Sequence, residues 1–74
     1  MGNDRATDLA NHCTELLRKG KSFSTVWHTV LKRHTLIDGI PSERFDGQRN
    51  FLDIPLITGD RLVFDRNAKE FRLE

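Results

Sequence analysis

Residues 18–34 hold five Lys/Arg and two His with no acidic side chain among them. Arg18, Lys19, Lys21, Lys32 and Arg33 carry the charge, while Thr25 and His28 add short hydrogen-bonding groups. Cations mixed with hydroxyls suit a phosphate backbone or the edges of bases, since each cation displaces a condensed counterion and each hydroxyl can donate. The same mixture suits an acidic protein surface. It also fits an ordinary solvated face on which Arg18 and Lys19 serve the negative end of a helix. Arg66 and Lys69 form a second, smaller cationic point near the C-terminus.

Other reactive residue types are spaced against their chemistry. His12 and Cys13 are neighbours on an expected helix, about 100° apart, and cannot easily share one ion. His28 and His34 are six apart, which again divides the faces, and no Cys/His pair has zinc-finger spacing. No metal or other cofactor is therefore expected. Cys13 falls between Ala10 and Leu17 on an apolar stripe, the setting of a buried and inert thiol. His34 ends a second apolar stripe, where a half-buried, hydrogen-bonded imidazole is expected. The carboxylates Asp46, Asp53, Asp60 and Asp65 read as turn residues that cap and close the chain. Asp60, after Thr58-Gly59, is the one with the setting of a catalytic acid, were it to meet His28 or His34. All five glycines are isolated, so no phosphate-cradling loop exists. A non-enzymatic protein with no evident small-molecule substrate is the expectation.

The elements that position these groups follow from periodicity. Ala6, Leu9, Ala10, Cys13, Leu16 and Leu17 repeat at three and four, which predicts a helix over about 4–19. Asn3 or Asp4 can cap it, and Gly20 can close it. Ser22 then caps a second helix over about 23–34, with Phe23, Val26, Trp27, Val30 and Leu31 inward and Trp27 at the centre of the core. Its outer side presents Ser24, Thr25, His28, Thr29 and Lys32. Residues 35–50 read as a turn-rich link anchored by Ile40 and Phe45, with room for one helical turn after Pro41.

Residues 51–74 read as β. Pro55 cannot donate to a ladder, which predicts an edge strand. A loop centred on Asn67-Ala68 sets Phe64 against Phe71 and Leu62 against Leu73 on one face. It also sets Asp65 against Glu70 and brings Arg61 to Glu74. The whole is α+β: an N-terminal two-helix hairpin on a C-terminal sheet of two to three antiparallel strands. Its outline resembles a winged helix-turn-helix, with the second helix as reader and the hairpin tip, Arg66 and Lys69, as wing. It departs from that pattern in lacking a clear third helix, and in having Thr29 where an apolar residue is expected.

Length sets the outer bounds. Seventy-four residues make one domain over 1–74, since a second core would need roughly 50 more. A lone cysteine excludes an internal disulfide and fits a reducing compartment. No apolar run is long enough to span a bilayer. The start lacks the charged-then-apolar order of a signal peptide. Ala6 stands where a myristoylation motif needs Ser or Thr. A cytoplasmic protein without a membrane partner is the expectation. The net charge of +1 divides unevenly: residues 1–34 carry six cations against three acids, and residues 35–74 six against eight. Two such halves attract each other between copies. The leading expectation is therefore an accessory module that binds a protein partner or itself as a homodimer. The competing one is a nucleic-acid-binding regulator using residues 18–34.

Overall fold

The computed structural model describes residues 4–74. Helix α1 (Asp4–Arg18) is followed by one turn of α-helix, α2 (Phe23–Val26), which runs straight into a π-helical turn, Trp27–Leu31. Strands β1 (Ser42–Asp46), β2 (Arg49–Pro55), β3 (Arg61–Asp65) and β4 (Glu70–Leu73) complete the chain. They form one antiparallel meander in the order β1-β2-β3-β4. The class is α+β, as the periodicity predicts, but the sheet has four strands.

Helix α1 buries Ala6, Leu9, Ala10 and Cys13, the face that its three-four spacing defines. It opens at Asp4, an acid in the first turn; the other cap candidate, Asn3, lies outside the described residues. Its end is a Schellman closure. The Lys21 N–H donates to Leu16 O at 3.1 Å and the Gly20 N–H to Leu17 O at 3.0 Å, with Gly20 at φ 95°.

The second helical segment differs from expectation in length and in kind. Ser22 caps it, its hydroxyl accepting from the Thr25 N–H at 3.2 Å, but regular helix ends after four residues. Thr25, Val26, Thr29 and Val30 are β-branched and crowd the preceding turn. The ladder widens to the i−5 pattern instead, with the Lys32 N–H donating to Trp27 O at 2.8 Å. That wider turn brings residues five apart onto one side, so Val26 and Leu31 are fully buried. Trp27, expected at the centre of the core, is only half-buried at its margin.

The larger correction concerns residues 35–50. Pro41 starts no helical turn; Ser42–Asp46 is a strand paired with β2 from Ser42↔Asp53 to Asp46↔Arg49. Gly47, at φ 66°, opens the two-residue turn between them, as a type II′ hairpin requires. Strand β2 is therefore internal, and Pro55 does not mark an edge. It sits past the end of β1, where its carbonyl accepts from the Asp38 N–H at 2.8 Å. At the other end of the sheet, Phe64↔Phe71, Leu62↔Leu73 and Asp65↔Glu70 pair in the register the loop predicts.

The core lies between the helices and one face of the sheet. Leu52, Ile54, Leu62, Phe64 and Phe71 point into it from the strands and meet Leu36 and Leu56 from the connections. Phe23 stacks on Phe64 with centroids 4.8 Å apart and on Phe71 at 5.9 Å.

Candidate functional site

The sheet has a second face, and among the described residues no helix covers it. Each strand alternates, so the residues opposite the core are charged: Arg44 on β1, Arg49 and Asp53 on β2, Arg61 and Asp65 on β3, Arg72 on β4. At their centre lies Phe51, 3% exposed, roofed by the guanidinium groups of Arg44, Arg49 and Arg72 at 4.7, 5.3 and 5.3 Å from the ring centre. Planar, weakly hydrated guanidinium groups can lie on an aromatic ring while their edges stay in water. The carboxylates fix them in place. Asp53 Oδ2 accepts from Arg44 Nε at 2.9 Å and from Arg61 Nη1 at 3.3 Å. Glu74 pairs with Arg44, Arg61 and Arg72 at 3.3, 3.7 and 2.8 Å.

Asp65, with no solvent exposure, pairs with Arg49 and sits 3.9 Å from Arg72. Its other oxygen accepts from the Asn67 and Ala68 N–H groups at 2.9 and 3.1 Å. Burial pushes its carboxyl upward, but the two amides and Arg49 outweigh that and hold it below the usual carboxylate range. Asp53 and Asp65 are thus strand residues of a charge lattice, and only Asp65 also acts as the turn acid its neighbours suggest. The period-two spacing Arg49-Phe51-Asp53 and Arg61-Val63-Asp65 is the signal that reveals the lattice in the sequence.

The cations singled out in the sequence behave differently. Arg18, Lys19, Lys21, Thr25, His28, Lys32, Arg33, Arg66 and Lys69 are all exposed. Arg18 meets Glu15 at 3.5 Å. Among the described residues no carboxylate lies within 4 Å of the other cations in that set. The fold brings three of them together: Lys21 from the interhelical turn and Arg66 and Lys69 from the β3–β4 hairpin line one cleft with Leu17, Phe23 and Phe64. The other six do not line it. Thr25 is occupied locally, its hydroxyl 3.1 Å from that of Ser22 and its carbonyl accepting from Thr29 Oγ1 at 2.7 Å.

The groups capable of acid–base or nucleophilic chemistry are not assembled. His12 and His34 share a groove of about 440 Å³ with Arg5, Asp8, Leu9 and Val30, yet among the described residues no carboxylate is within 4 Å of a histidine. His34 Nδ1 accepts from the Leu36 N–H at 3.1 Å. Burial, and then Arg5, lower its pKa. Asp60 accepts from Thr58 Oγ1 at 3.1 Å, a turn closure. Burial pushes the Cys13 thiol up to about 12, far from a nucleophilic thiolate. Among the described residues no three His, Cys, Asp or Glu cluster as metal ligands, and no helix is long and apolar enough to cross a membrane.

The two edges of the sheet complete the surface. On β4 the outward Phe71 N–H donates to Thr14 Oγ1 at 2.9 Å, and that hydroxyl lies 3.2 Å from the Phe71 carbonyl. Helix α1 thereby closes this edge. On β1 nothing does so among the described residues. Asn50 turns its carbonyl toward Arg66, so its partner Phe45 turns its own N–H and C=O outward, and Glu43 does the same. Of the large exposed apolar side chains, Phe45 at 68% exposure lies on this strand and Ile40 at 80% precedes it by two residues, while Ile57 at 61% follows β2. Ile57 is tied to the segment leading into β1 by its N–H bond to Leu36 O at 2.9 Å.

No family model matches this chain, and neither a curated protein nor a solved structure does.

Proposed function

We propose that the protein is a small non-enzymatic binding module that works by protein contact, first of all with a second copy of itself, through the open edge of β1. One observation carries this reading: the strand with unmet outward N–H and C=O groups also bears the exposed Phe45, with the exposed Ile40 two residues before its start. An open edge bearing apolar side chains is a template for strand addition. Charge selects the partner. About a two-fold axis at Phe45, Phe45 meets Phe45, and Asp46 of each copy falls opposite Arg44 of the other, adding to the Asp53 and Glu74 that Arg44 already meets. Asp46 has no ion pair of its own among the described residues, which leaves it available. This attraction is more local than that between a basic and an acidic half, since Asp53, Asp65 and Glu74 are already engaged by arginines. The lone buried Cys13 fits a reducing compartment, so we place the protein in the cytoplasm.

The alternative, a winged-helix-like regulator reading duplex DNA, has less support. It draws on Lys19, Lys21, Lys32 and Arg33, which have no carboxylate within 4 Å among the described residues. A reading helix, however, must protrude into a groove about 12 Å wide, and here it amounts to four α and five π residues.

Sedimentation velocity tests the leading reading. The expected result is a dimer for the native chain and a monomer for Phe45→Lys with unchanged circular dichroism. A native chain that stays monomeric at high concentration and low salt overturns it.

A further inference from the structure

The interhelical turn and the tip of the β3–β4 hairpin face each other across a cleft of about 420 Å³. Lys21 stands on one side and Arg66 and Lys69 on the other, with Ser22 beside them and no acid in the lining. None of these three cations has a carboxylate within 4 Å among the described residues, whereas Arg44, Arg49, Arg61 and Arg72 each have at least one. The apolar lining is Leu17, Phe23 and Phe64. Phe64 is buried, so half-buried Phe23, backed by the stacked Phe64 and Phe71 rings, is the aromatic surface within reach.

A second observation points to the same place. Lys69 has φ 57°, the left-handed region, and is the one non-glycine residue with positive φ among those described. Glycine or asparagine would hold that position with less strain. A lysine there spends stability to put an ammonium group on the cleft.

We propose that this cleft binds a phosphate joined to an unstacked aromatic base, the unit of single-stranded nucleic acid, with the phosphate among Lys21, Arg66 and Lys69 and the base against Phe23. A bare anion would leave the apolar lining unused. A duplex hides the base faces that a ring can stack on. A positive groove beside an aromatic platform is the arrangement that holds single strands with little sequence preference. The site lies at the β3–β4 end of the sheet and does not depend on self-association through β1.

The test uses the full chain with a fluorescent ten-nucleotide single strand, the matching duplex, adenosine monophosphate and inorganic phosphate. The expected result is binding of the strand, with amide shifts at Lys21, Ser22, Phe23, Arg66 and Lys69. Affinity should fall with salt at a slope of about −0.7 for the one phosphate neutralised on a single strand. Lys21→Ala with Arg66→Ala should weaken binding at least tenfold, and Phe23→Leu about fivefold. Lys69→Gly separates ligand from fold: it should weaken binding several-fold while raising the melting midpoint by about 4 °C. Adenosine monophosphate shifting the same amides while the strand does not supports the site with a free nucleotide as its source. The proposal is overturned if neither ligand shifts those amides at low salt. It is equally overturned if the duplex binds as tightly as the strand, or if inorganic phosphate matches the nucleotide and Phe23→Leu changes nothing.

Discussion

The outer face of the sheet carries four of the twelve Lys and Arg residues and the helix–hairpin side the other eight, in opposite states. On the sheet Arg44, Arg49, Arg61 and Arg72 all meet carboxylates and three of them roof Phe51. Elsewhere among the described residues, only Arg18 of the cations has a carboxylate within 4 Å. The first set does the work of a missing layer of helices, keeping water off the second side of a two-layer fold. The second set adds little to the fold: Arg18 meets Glu15, and Arg5 Nη2 donates to Thr35 Oγ1 at 2.9 Å. Position of the nearest acid, two residues along a strand or one strand across, separates the structural cation from the available one, and net charge does not.

Several substitutions would break or sharpen that contrast. The largest effect is expected at Phe51. Removing the ring that three guanidinium groups cover should cost about 3 kcal/mol in Phe51→Ala, measured by urea unfolding. Phe45→Ala, at the exposed edge, should cost under about 0.5 kcal/mol and change the association state. Equal costs at the two positions would erase the distinction between the faces.

Asp65→Asn comes next. It leaves the turn amides a poorer acceptor and frees Arg49, while Arg72 keeps Glu74, at about 2 kcal/mol. The rate of Cys13 alkylation, which needs opening of the core, should rise with it. A variant as stable as the native chain would remove Asp65 from the lattice.

Acid sharpens the same point. The Asp65 carboxyl lies below the usual range in the fold, so its stabilisation is complete above the unfolded value of about 3.9. It is lost as pH falls toward the folded one. His34 is lowered as well and acts earlier. Its contribution is complete above about 6.5 and fades as pH drops, because a proton on Nδ1 displaces the Leu36 N–H bond. The urea midpoint should therefore fall in two stages on acidification, with Asp65→Asn flattening the lower stage and His34→Gln the upper. A native midpoint unchanged between neutral pH and pH 3 would contradict both assignments. The smallest effect belongs to Lys32→Ala and Arg33→Ala, within about 0.5 kcal/mol of the native stability at any salt.

How much of this was legible depended on whether one periodicity ruled a segment. Helix α1 and the β3–β4 hairpin were readable because a cap, a closing glycine and a strict apolar spacing agreed. Register followed directly from the loop that pairs Phe64 with Phe71. Strand β1 was not readable, because Ser-Glu-Arg-Phe-Asp is wet on both sides of an edge strand and shows no apolar alternation. Pro55 misled for a related reason: it ends an internal strand, paired with Arg61 on one side and lying past the end of β1 on the other. Trp27 was displaced by the π turn, whose wider spacing puts Leu31 inward. Among the candidate residues, Lys21, Arg66 and Lys69 were visible as charges, but only the fold sets them across one cleft. The lattice went unseen because its acids also look like turn residues.

Thr14 has a consequence for size. A sheet with two live edges can add neighbours without end and grow into a fibre. The Thr14 hydroxyl occupies the Phe71 N–H and C=O, so the association proposed through β1 would meet no such opening at Phe71 from which to continue and would stop at a pair.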